Sequence, residues 1–158
     1  MEGKSREALL PEMRLDFWDE LWNGQISSAR ALARRLSVLG LPITPDSPCC
    51  RCVLRLEHGE AYLDQIWRYG RDRLRTAVLN LLPGEEKGIV YGVCRLTPYH
   101  VYIVACDADG RGSEALHKSV GEDIARLIQS LESYLDLHSQ RKEIVDAQSV
   151  AALAGAKE

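Results

Sequence analysis

Gly88-Ile89-Val90-Tyr91-Gly92-Val93-Cys94-Arg95-Leu96-Thr97-Pro98-Tyr99-His100-Val101-Tyr102-Ile103-Val104-Ala105-Cys106 is the stretch on which the fold turns. Its β-branched and aromatic residues have no helical spacing, and Asp107–Gly112 closes it with turn-forming residues. A β-hairpin turning at Thr97-Pro98 is the direct reading. Cys50–Glu57 is the other convincing strand, with Cys50, Cys52, Leu54 and Leu56 on one face and Arg51, Val53, Arg55 and Glu57 on the other. These segments must form the sheet on which the amphipathic helices bury their stripes.

Working outward, Glu7–Asn23 reads as a helix with Leu10, Met13, Phe17 and Leu21 at three- to four-residue spacing, widened by Trp18 and Trp22. The two tryptophans pack on the sheet or form a dimer surface. A second helix covers about Ser27–Val38, and Gly40 ends it. The three prolines of Leu41–Pro48 then enforce extended chain. A long helix is expected over about Glu60–Leu82, burying Leu63, Ile66, Trp67, Gly70, Leu74, Ala77, Val78 and Leu81. Its outer face would carry Arg68, Arg71, Asp72 and Arg75, and the three arginines form a candidate anion or partner surface. Another helix covers Ser113–Leu135. Leu135–Ser139 either closes the sheet as a short edge strand or ends that helix, and Lys142–Leu153 reads as a last helix.

The order predicts an α+β fold: a ferredoxin-like β-α-β-β-α core with strand one central and two helices ahead of it. One domain is expected over residues 1–158, with a core at about 11–138 and a C-terminal helix or connector at 140–158.

Net charge of −3 argues against a domain whose main task is gripping nucleic acid. No apolar run is long enough to span a membrane and no signal peptide is evident, so no membrane partner is expected. The five cysteines (Cys49, Cys50, Cys52, Cys94, Cys106) are odd in number and lie in or beside strands, which suits reduced core thiols and a cytoplasmic location. A thiolate metal site would need knuckle spacing that alternating strands do not provide, so no metal is assigned. His58, His100, His117 and His138 are scattered, without paired spacing. Asp107-Ala108-Asp109-Gly110-Arg111-Gly112 opens like a calcium loop, but Lys118 stands where the twelfth-position glutamate belongs, leaving a solvated turn.

The string Phe17-Trp18-Asp19-Glu20-Leu21-Trp22-Asn23-Gly24-Gln25-Ile26, then a short helix ending Leu36-Ser37-Val38-Leu39-Gly40-Leu41-Pro42-Ile43, then a proline-bearing linker into a strand, resembles the opening of degenerate GGDEF-like domains. These occur in bacterial transcription regulators of the PucR/CdaR type and in the central region of response regulators of two-component systems with an AraC-type DNA-binding end. The resemblance spans roughly Pro11–His138. Catalytic members of that fold carry Gly-Gly-(Asp/Glu)-Glu-Phe in the hairpin turn, whereas this chain has Arg95-Leu96-Thr97-Pro98-Tyr99. With no glycine pair and no carboxylate there, the resemblance implies the scaffold without cyclase activity, and no cofactor.

The expected function is therefore a non-catalytic sensory domain of a cytoplasmic transcription regulator. It would act by homodimerisation or small-ligand binding, and reach DNA only through a separate DNA-binding domain. Trp18, Trp22, Arg68, Arg71 and Arg75 are its candidate interface. One alternative is a nucleotide-handling enzyme with metal ligands at Glu57, Asp107 and Asp109; the other is a pure interaction module.

Overall fold

A computed structural model describes residues 2–155 except Gln148, with side chains described from Leu9 onward. The described residues form a four-stranded sheet with helices on both faces. In chain order the elements are α1 (Glu2–Trp22), α2 (Ala29–Val38), β1 (Cys49–Leu56), the single turn α3 (Gly59–Ala61), α4 (Arg71–Asn80), β2 (Ile89–Leu96), β3 (His100–Asp107), α5 (Ser113–Leu135), β4 (Ser139–Ala147) and α6 (Val150–Ala154). The sheet order is β2-β3-β1-β4 and each neighbouring pair is antiparallel. β1 is thus an inner strand, as the element order predicts. β2 and β4 are the edges.

Alternation splits the core into two clusters. Cys50, Cys52, Leu54, Val93 and Ile103 pack with Leu74 and Val78 of α4 and with Leu116, Val120, Ile124, Leu127 and Leu131 of α5. On the opposite face Cys49, Val90, Cys94, Val104 and Cys106 pack with Phe17, Trp18 and Leu21 of α1, Leu32 and Leu36 of α2, and Val150 of α6. Trp18 lies so close to β2 that a Cβ on Gly92 would stand 2.3 Å from its ring. Only glycine permits that approach. Ser28 caps α2 by accepting from Ala31 N at 3.1 Å, and α5 keeps the predicted limits.

Three expectations change. The predicted long helix over 60–82 is broken: α3 runs into a π-type turn at Tyr62–Ile66, the chain extends at Trp67, and α4 restarts after Gly70 at φ +93°. Trp67 Nε1 donates to Gly70 O at 2.8 Å and closes the break. The left-handed backbone at Gly70 is why the helix cannot run through. Ile66 and Gly70, read as buried, are exposed.

The predicted last helix over 142–153 is also replaced. Ser139–Ala147 is edge strand β4, and helix resumes only at Val150. The helix expected at Gln148, and the connector expected over residues 156–158, lie outside the described residues. A bulge between Val53 and Leu54 in the β1–β4 pairing leaves Lys142 unmatched, which hides the strand's alternation. Its neighbours Arg141 and Glu143 are exposed and discourage a further strand from adding to this edge.

Arg75 is the third correction. It is not on an outer face: only 5% of it is exposed. The pairing of β2 with β3 skips a residue at Cys94, and Arg75 supplies donors there. Its Nε and Nη2 donate to Val93 O at 3.1 and 2.8 Å, and Nη2 also to Cys94 O at 3.2 Å. The same guanidinium reaches α1, at Leu15 O (3.2 Å) and Asp19 Oδ2 (3.4 Å), and Asp72 Oδ1 on its own helix (3.4 Å). One side chain thus ties both helical layers to the β2 edge.

Removing it strands buried carbonyls and the half-exposed Asp19 together. Arg75→Met should therefore destabilise the protein by about 3–5 kcal/mol, whereas Arg68→Met and Arg71→Met, at exposed positions, should each change stability by roughly 0.5 kcal/mol or less. Equilibrium urea denaturation of the three variants checks this.

Candidate functional site

The β2 edge that Arg75 closes at one end opens beyond it into a cleft of about 750 Å³ between α1 and α4. α1 contributes Leu10, Leu15 and Trp18, α4 contributes Leu79, and Tyr91 of β2 lies at the base. Helices on opposite faces can share a cleft because both overhang the same edge strand. The Tyr91 hydroxyl is satisfied away from it, donating to Asp123 Oδ2 at 2.6 Å. Burial first, then that bond, pushes its ionisation far up.

The charged groups Arg14, Glu85 and Glu86 gather at the mouth, while Thr76 and Asn80 add polar atoms to the α4 wall. Arg14 donates to Glu85 Oε1 at 2.6 Å and to Leu39 O at 3.0 and 3.2 Å, anchoring the segment after α4 to α1 and to the end of α2. Glu86 also lines the mouth, its carboxylate folded over Gly84. One guanidinium against two carboxylates leaves the entrance negative. The arrangement suits an apolar body with one cationic or hydrogen-bond-donating end.

The predicted interface residues do not form one surface. Trp18 is 1% exposed and lines the cleft from within the core. Trp22 is half-buried with its ring 5.0 Å from that of Tyr102. Arg68 and Arg71 flank a shallow hollow beside Trp67 that Glu60 and Asp64 also line, so this surface is mixed in charge rather than basic. Arg75 is inside. The cleft itself was missed, because Leu10, Leu79 and Leu82 line it from elements far apart in the chain and β2 was read only as part of a hairpin.

The metal ligands of the enzyme alternative are kept apart. Cys49 pairs with Cys106, so Asp107 lies at the start of β1, while Glu57 follows its other end. Eight residues of strand separate them, on the order of 26 Å. Glu57 accepts from Gln140 Nε2 at 2.7 Å. Asp107 is buried and accepts from Asp109 N at 3.0 Å and Gly112 N at 3.1 Å, with Arg111 3.3 Å away, so the expected solvated turn is anchored from inside.

At the hairpin turn Thr97 Oγ1 accepts from Tyr99 N and His100 N at 3.1 and 3.0 Å, and Leu56 N donates to Tyr99 O at 2.8 Å. A Cβ on Gly59 would stand 1.8 Å from Pro98 O. The turn is packed against the end of β1.

All five thiols are free and buried. Cys50 and Cys52 belong to the α4/α5 side, Cys49, Cys94 and Cys106 to the other, so the sheet itself divides the set. Among the described residues, the group of His, Cys and acidic side chains close enough to share an ion is Cys50, His117 and Asp146. Asp146 lies between the other two: Cys50 Sγ donates to Asp146 Oδ1 at 3.3 Å, and His117 Nδ1 is 2.6 Å from the same oxygen. With the carboxylate rather than the imidazole next to the sulfur, the thiol is not activated. Burial, then the bond to Asp146, holds its proton on.

No protein family, curated protein or solved structure matches the chain.

Burial also pushes the Cys94 thiol well above its ordinary value of 9.0. Above that pH an unfolded thiol ionises and the folded one does not, so the unfolded state binds fewer protons and stability falls as pH rises. Cys94→Ala should therefore lose about 1.4 kcal/mol less stability than the parent between pH 8 and 10. Denaturant titrations under reducing conditions at the two pH values read this directly.

Proposed function

We propose that this chain is a non-catalytic regulatory domain of a cytoplasmic transcription regulator, responding to a small apolar molecule taken up in the cleft at the β2 edge. The observation that carries the reading is the cleft's construction. Its walls are helices from opposite faces of the sheet, so an occupant touches α1 and α4 together and bears on how the two layers meet. Ligand binding then becomes a shift between two arrangements of α1, with no chemistry required.

The scaffold supports the same reading. The order β-α-β-β-α-β with β1 between β3 and β4 agrees with a ferredoxin-like, cyclase-type sheet. It also agrees with the resemblance to degenerate GGDEF-like domains. In the hairpin turn, where catalytic members of that fold hold their nucleotide and metals, this chain has Arg95-Leu96-Thr97-Pro98-Tyr99, without a glycine pair or a carboxylate, and Pro98 lies against Gly59. Self-association belongs to the same proposal. Leu9 and Met13, four residues apart on α1, are 49% and 39% exposed, an apolar pair suited to cover by a second copy. DNA would be reached through a separate module.

Apolar amines, from phenethylamine and tryptamine to octylamine, test the ligand reading, with GTP and Mg²⁺ as the comparison. At about a hundred times its dissociation constant a cleft ligand adds about 2.7 kcal/mol, which raises Tm by roughly 5–10 °C. A saturable shift with an amine that Glu86→Gln weakens about tenfold is expected. Absence of any saturable shift across the amines, or a shift indifferent to Glu86, contradicts the reading, as does turnover of GTP.

A further inference from the structure

At the opposite edge of the sheet three elements converge on one point. The β1–β4 register sets Cys50 directly opposite Asp146, so both side chains project from the same face. α5 crosses that face, and His117 in its second turn comes down beside them. The donor atoms Cys50 Sγ, Asp146 Oδ1 and His117 Nδ1 all lie within 4.8 Å of one another. The sulfur is 3.3 Å from the carboxylate oxygen and the imidazole nitrogen 2.6 Å from it.

We propose that Cys50, His117 and Asp146 form a zinc site that pins edge strand β4 and helix α5 to the central strand β1.

Zinc ligand bonds of 2.0–2.3 Å in a tetrahedron put donor atoms about 3.3–3.6 Å apart. The sulfur–oxygen separation already has that value, and the nitrogen–oxygen pair needs to part by less than an ångström. One thiolate, one imidazole and one carboxylate is a borderline-soft set that favours zinc over magnesium or calcium, which prefer all-oxygen shells. Three protein ligands leave a fourth position for water. Access is from the outer side, where the side chains of His117 and Asp146 are 45% and 50% exposed, while Cys50 forms the buried floor. On binding, the thiol proton leaves to solvent and the ion takes the place of the hydrogen bonds that now join the three groups.

The placement gives the site a structural consequence. β4 is an edge strand whose pairing is already interrupted by a bulge, and it adds only the partly buried Ile144 to the apolar cluster beneath α5. An ion held by all three elements would hold that edge closed. This site is independent of the cleft at β2.

Zinc alone, titrated calorimetrically into the reduced full chain, tests the proposal, with cobalt as a spectroscopic substitute. One zinc per chain is expected, with a raised Tm and, for cobalt, a thiolate charge-transfer band and tetrahedral d–d absorption. His117→Ala and Asp146→Asn should each weaken binding by about 100-fold or more, whereas Cys52→Ala, on the same face, should leave it unchanged. His117 is half-exposed, so its variant keeps the fold, which circular dichroism verifies. Failure of the parent to bind zinc, or binding that survives loss of either His117 or Asp146, overturns the assignment.

Discussion

A single guanidinium holds the layers of this protein together. Arg75 sits where β2 is both an edge strand and bulged, so carbonyls of Val93 and Cys94 need donors that a strand ladder does not supply. By reaching past them to Leu15 and Asp19 it also fastens α1, which packs on the other face of the sheet from α4. Burying a charge without partners is expensive; burying one that satisfies several acceptors in three elements makes their relative placement a condition of stability. The close seat of Trp18 on Gly92 follows from that placement, and so does the cleft further along the same edge.

The two sheet edges are finished differently. β2 is covered by α1, α4 and the arginine between them. β4 remains open to solvent and relies on charged side chains and a bulge to discourage further pairing. Each edge carries one of the two proposed sites. The cleft at β2 is apolar with a negative mouth, whereas the cluster at β4 is polar and stitched across strands. A ligand at the first would act on the seam between helical layers, and an ion at the second on the order of the last strand. No helix among the described residues is long and apolar enough to cross a membrane.

Much of the architecture was legible where periodicity is strong. The hairpin, the alternation of β1 and the limits of α5 follow from residues whose spacing admits one reading. The break at Gly70 was not, because the apolar positions on either side keep helical spacing while one left-handed residue interrupts the backbone. β4 was mistaken for helix because an edge strand exposed over most of its length needs few apolar residues and its bulge shifts the pattern at Lys142. Arg75 was read as solvated since a charge's burial depends on acceptors that only tertiary structure assembles. For the same reason His117 looked isolated: its partners lie on two strands distant in the chain, one of which had been read as a helix.

The central claim is that α1 is integral to the sheet rather than appended to it, and native-state amide hydrogen exchange tests it most directly. The amides of residues 15–22 should exchange only through global unfolding, with free energies within about 1 kcal/mol of those in β2 and β3. Exchange of these α1 amides through a local opening several kcal/mol below the sheet would contradict the account, because a helix that detaches alone cannot be one wall of a ligand-responsive cleft.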